Sequence, residues 1–123
     1  MRVLLISLRA RYSLAVAGAA RGQAVEQALP TRFALSPGQP NPFGRSMLIR
    51  FDVPRRAQIR IEAFDVLGRR VRTLTEGEFA PGSHTVSWDG AAEDGAPARP
   101  GVYMVRMTTA GFTTQHRVVR LAR

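Results

Sequence analysis

Catalysis needs a nucleophile, an acid–base pair or a ligand cage, and these 123 residues offer little material for any of them. Cysteine is absent, which removes disulfides, iron–sulfur clusters, thiolate zinc sites and thiol nucleophiles together. Two histidines occur. His84 directly follows Ser83, but neighbours on a strand point to opposite faces, so the two are not expected to meet as a dyad. His116 stands alone in a strand-like stretch and reads as a half-exposed sheet residue. No GxSxG elbow, GxGxxG turn or Walker loop is present. The stretch Asp89-Gly90-Ala91-Ala92-Glu93-Asp94-Gly95 clusters three carboxylates, as hard cations such as calcium require. Its spacing departs from the EF-hand pattern, and a turn-rich solvated loop is the simpler reading. The sequence predicts no enzyme, no cofactor and no metal centre.

Charge is the other chemical resource. The chain carries 18 basic residues, all arginine, against 9 acidic ones, for a net charge of +9. Residues 1–46 hold six arginines and one acid, Glu26, for +5; residues 47–123 contribute the remaining +4. Over half the excess thus lies in the stretch least like a folded core. Further on, arginine alternates with Asp and Glu as on the solvated face of a sheet. A high isoelectric point alone is only an electrostatic footprint, and nucleic acid is not expected as a partner.

The elements that would position these residues are strands. Ile49, Phe51 and Val53 alternate with Arg50 and Asp52, and Pro54 ends the run. Gln58 to Phe64 repeats the pattern, with Ile59, Ile61 and Ala63 inward and Arg60 and Glu62 outward. Val66-Leu67-Gly68-Arg69 reads as a turn in which Gly68 supplies backbone freedom, and Val71 to Leu74 resumes an extended run. Ala80-Pro81-Gly82 turns the chain into His84 to Trp88, where His84, Val86 and Trp88 share a face. Asp89 to Gly101 is a connecting loop. Val102 to Thr108 places Tyr103, Val105 and Met107 on one side, and Ala110-Gly111 leads into a last strand, Phe112 to Leu121. Six or seven short strands with turns between them predict an all-β fold, an antiparallel immunoglobulin-like β-sandwich preceded by a flexible leader.

That leader, residues 1–24, opens with Met1-Arg2, continues through apolar runs at Val3 to Leu8 and Tyr12 to Ala20, and offers Gly22-Gln23-Ala24 as a small-residue cleavage site. The arrangement reads as a secretory signal peptide, interrupted by Arg9 and Arg11; the alternative is an extension or upstream sequence of a larger gene. Residues 25–32 read as a linker and 33–123 as the sandwich. No stretch reaches the roughly 18 unbroken apolar residues that span a bilayer.

Five signatures now stand in order: Pro40-Asn41-Pro42-Phe43, then Phe64-Asp65-Val66-Leu67-Gly68-Arg69-Arg70-Val71, then Pro81-Gly82-Ser83-His84, then Trp88-Asp89-Gly90, then Pro100-Gly101-Val102-Tyr103. Each has a local logic. Pro40 and Pro42 would hold the incoming segment extended, with Phe43 pinning it to the sandwich edge. Trp88 would be the largest core residue, Asp89-Gly90 a reversal, Gly101 a point of close backbone approach, and Tyr103 a buried ring with a partnered hydroxyl. The set resembles the FlgD-type immunoglobulin-like domains, and equally the type A sorting domains at the ends of type IX secretion cargo, over about residues 33–123. The resemblance implies a non-enzymatic module that directs export and surface anchoring of an attached protein, with outer-membrane secretion machinery as partner. Its alternative is a structural module for assembly with extracellular protein partners. Either implies a secreted or cell-surface location reached through the periplasm. The tail His116-Arg117-Val118-Val119-Arg120-Leu121 resembles the basic-apolar ending of the sorting domains, with arginine where lysine is common. Gln39 stands where an aromatic residue often precedes Pro-Asn-Pro-Phe. About thirty residues ahead of the sandwich are too few for a cargo with its own core, so the expectation is a fragment of a longer protein, a decayed gene or a freestanding module.

Overall fold

The structure, a computed structural model, describes residues 29–122. The leader of residues 1–24 lies outside the described residues, as do residues 25–28 of the linker. Seven strands follow in order among the described residues: β1 (Ala34–Leu35), β2 (Met47–Val53), β3 (Ala57–Asp65), β4 (Arg70–Phe79), β5 (Gly82–Trp88), β6 (Gly101–Thr109) and β7 (Phe112–Arg120). They form two antiparallel sheets, β1-β2-β5 and β4-β3-β6-β7. No helix occurs among the described residues, so none there is long and apolar enough to cross a membrane.

Period-two alternation builds the core. Ile49, Phe51 and Val53 from β2, Ile59, Ile61 and Ala63 from β3, and Tyr103, Val105 and Met107 from β6 are all buried between the sheets. Because every second residue of a strand faces the same way, three short runs of alternating sequence supply most of the core between two sheets, completed by Leu35, Phe43, Met47, Trp88 and Val118. Trp88, at the end of β5, is the largest fully buried side chain and is 1% exposed.

Three expectations are corrected. Glu62 occupies an outward position but is 7% exposed rather than solvated. β3 is an internal strand, so its outer face is flanked on both sides, and Arg60 (4.0 Å) and Arg70 (3.5 Å) reach over the carboxylate. Second, β4 runs to Phe79, well past Leu74. Register shifts against β3 between Ile61 and Glu62 and between Ala63 and Phe64 leave Leu74 and Val71 without cross-strand partners of their own. Both half-buried side chains pack against the core, so the bulges aim residues that strict alternation would have turned elsewhere. Third, residues 40–42 bend instead of running extended, and the Gln39-Pro40 and Asn41-Pro42 peptide bonds are both cis.

Candidate functional site

The bend at Pro40–Pro42 carries the chain from one sheet to the other. Gln39 exchanges backbone hydrogen bonds with Leu48 of β2, at 2.9 and 2.8 Å. Four residues later Phe43 pairs in parallel with β7: its N–H donates to the Val119 carbonyl (2.9 Å), and Leu121 N–H donates to the Phe43 carbonyl (2.8 Å). Between them Asn41 stitches the same strand, its amide donating to the Arg117 carbonyl (3.1 Å) and accepting from Val119 N–H (3.0 Å). An edge strand otherwise presents unpaired N–H and C=O groups, and here one side chain and one backbone residue satisfy those from Arg117 to Leu121. The Phe43 ring is fully buried, so the strap is anchored in the core and not merely at the rim.

From Phe43 an aromatic row leads through the sandwich. Its ring lies 5.4 Å from Trp88, and Trp88 lies 5.4 Å from Tyr103 at 81°, an edge-to-face contact. The polar tips are satisfied: Trp88 indole N–H donates to the Ala91 carbonyl at 2.9 Å, and the Tyr103 hydroxyl donates to the Arg99 carbonyl four residues upstream. Burial pushes the Tyr103 phenol above its ordinary value of 10.0, aided by the Asp65 carboxylate and opposed by the Arg120 and Arg99 guanidiniums. Asp89 accepts from Ala91 N–H (3.0 Å), closing the reversal after Trp88. Gly90 has φ +79°, and a Cβ there would lie 2.2 Å from Nε of Arg120, itself only 9% exposed. Gly101 corrects the expectation of close approach: the space around it is open, and what it supplies is φ +146° at the start of β6.

The turn between β3 and β4 abuts the far end of the row, with Asp65 opposite Tyr103 in the sheet register. One oxygen of Asp65 accepts from the N–H groups of Leu67 and Arg69, each at 2.9 Å, and the other from Nε of Arg69 at 3.0 Å. Gly68 closes the turn with φ +82° and a 3.0 Å bond to the Asp65 carbonyl. These donors, foremost the Arg69 N–H, hold the Asp65 carboxyl below its ordinary value of 3.8 against a smaller opposing effect of burial. Four of the five signatures are therefore one connected assembly, from the strap on β7 to the β3–β4 turn, while Ser83 and His84 of the fifth bond elsewhere.

The other candidates separate. Ser83 donates to Asp52 (2.8 Å), while the His84 ring meets the Ala80 carbonyl (2.8 Å), so serine and imidazole serve different partners. His116 is half-buried, its ring 2.6 Å from the Leu35 carbonyl. The three loop carboxylates also part company. Glu93 accepts from Thr73 N–H on β4 and Asp94 from Ala96 N–H, each at 2.9 Å. No three His, Asp or Glu side chains converge among the described residues. Residue types alone missed Arg120; its one signal was apolar phase, two residues after the buried Val118.

The profile of the FlgD Ig-like domain family matches residues 43–111, more than half of the chain, and the chain belongs to that family. The basal-body rod modification protein FlgD of Salmonella typhimurium is 44% identical over 48 residues, covering 39% of this chain and 21% of that protein. FlgD of Salmonella typhi matches to the same extent. The chain thus spans about a fifth of the length of the relatives it matches. Among solved structures, dimeric latent PorU from Porphyromonas gingivalis superposes with a TM-score of 0.61 at 19% identity, over 82% of this chain and 10% of that one. FlgD from P. aeruginosa gives 0.50 at 22% identity, over 62% of this chain and 67% of that one. At these identities the structural likeness is one of fold.

Proposed function

We propose that this FlgD-like immunoglobulin module is a non-enzymatic sorting domain of the type IX kind, directing export through the periplasm and surface anchoring of an attached protein. The observation that carries this reading is the treatment of the tail. The stretch from His116 to Leu121, the last part of β7 and the residue after it, is held in place: Asn41 and Phe43 of the Pro-Asn-Pro-Phe signature clamp it along its edge. A receptor could then read Arg117 on β7 and Leu121 just after it, both exposed, with the strand's position already set. Family membership favours a second reading, a structural module for assembly with extracellular proteins.

A secreted reporter fused ahead of residues 31–123 distinguishes the two in a host with a type IX apparatus. Sorting predicts reporter in the medium or on the outer surface. Retention in the periplasm would remove that reading and leave the assembly module. The native protein's N-terminus and intact mass, measured from fractionated cells, test the leader: cleavage after Ala24 predicts a chain beginning at Val25.

A further inference from the structure

At the end of the sandwich where the β3–β4 turn meets the start of β6 lies an open groove of about 520 Å³. Its lining combines two chemistries. Leu67 and Val66 are 73% and 71% exposed, and Val102 adds a third apolar side chain at 37%. Arg69, Arg70 and Arg99 also line it, against a single carboxylate, Asp65. That carboxylate is spent on the turn and on Arg69, Arg70 faces Glu62, and Arg99 has no carboxylate partner among the described residues.

Two large apolar side chains this exposed would be an unremarkable loop tip if the turn were loose. Instead Asp65 and Gly68 hold it by five hydrogen bonds, including the Asp65 N–H to the Arg69 carbonyl at 2.9 Å. Ordering exposed apolar groups in advance lowers the entropy lost when a partner covers them. The cationic rim selects the partner's sign, because guanidinium forks match carboxylates. We propose that this groove docks an extended polypeptide segment carrying an aliphatic side chain beside a carboxylate, with Val66, Leu67 and Val102 taking the apolar group and Arg99 the acid. Nucleic acid fits less well, since the one aromatic ring lining the groove, Tyr103, is only 6% exposed and offers no stacking face.

The docking does not rest on the sorting reading: the groove can bind its peptide while the reporter stays in the periplasm, and the reverse. The test pans a random dodecapeptide phage library on the immobilised full chain and measures the selected sequences as synthetic peptides by fluorescence anisotropy. Expected are peptides with Asp or Glu beside Leu, Ile or Val, with affinity falling about tenfold or more in Leu67→Ser and in Arg99→Glu. Both sites are exposed, and an unchanged melting temperature shows that the variants are folded. Gln58→Glu, remote from the groove, leaves binding unchanged. The proposal is overturned by no enrichment, by enriched peptides lacking carboxylates, or by affinities indifferent to both groove variants. It is overturned equally if Leu67→Ser abolishes binding of a single-stranded oligonucleotide instead, or dissolves a dimer of the chain seen by sedimentation.

Discussion

At Asp65 and Tyr103 the same strand pairing joins a carboxyl whose titration is shifted down to a phenol whose titration is shifted up, and the two bear on stability at opposite ends of the pH scale. The carboxyl titrates lower in the folded protein than its ordinary 3.8, so its stabilisation is complete above that value and is lost as the pH falls through the folded value. The phenol titrates higher than 10.0, so its stabilisation is complete below that value and is lost as the pH rises toward the folded value. Asp65→Asn is therefore expected to flatten the acid limb of a plot of melting temperature against pH, and Tyr103→Phe the alkaline limb, each leaving the other limb in place. If Tyr103→Phe left the alkaline limb as steep as before, the ring's burial would not be what limits stability there. A turn at Gly68 and a buried Tyr103 ring were legible in the sequence; the pairing of Asp65 with Tyr103 was not, because it depends on which strands become neighbours.

Among the elements, the strap is where local and long-range structure meet. Asn41 bonds to residues 76 and 78 positions away, a contact with no local signature. Asn41→Ala leaves the Val119 N–H and Arg117 carbonyl to water at an exposed site, so a loss of about 0.5–1.5 kcal/mol is expected from urea denaturation. Hydrogen exchange should localise the effect, with the Val119 amide exchanging faster and β2–β5 amides unmoved; uniform acceleration would mean that the strap is not a separate element. Alternation in β2, β3 and β6 was readable because a two-residue period needs only the strand itself. The bulges of β4 and the cover over Glu62 were not. Both arise from neighbours: β3 sets the register that displaces Val71 and Leu74, and Arg70 arrives over Glu62 from across the turn. The same holds for Gly90, whose requirement comes from Arg120 thirty residues later.

For the whole molecule the question is whether two sheets with separate hydrogen-bond ladders behave as one unit. Trp88 belongs to the three-stranded sheet, yet its ring contacts Tyr103 of the four-stranded sheet and Phe43 of the strap that joins β7. No ladder bonds β5 to β6, so at this point the sheets are coupled through side chains alone. Packed side chains are unforgiving of voids, and loss of a fully buried Trp costs about 3–5 kcal/mol. Trp88→Ala is accordingly expected to lower stability by that amount in urea, followed by far-UV circular dichroism. In the unaltered protein the single tryptophan reports on the contact between the sheets while dichroism reports on the ladders themselves. Cooperative coupling predicts that the two signals give coincident transitions with one midpoint and one slope. Earlier loss of the fluorescence signal would show the sheets parting before their ladders break, and would make the aromatic row a weak seam instead of the joint that holds the sandwich together.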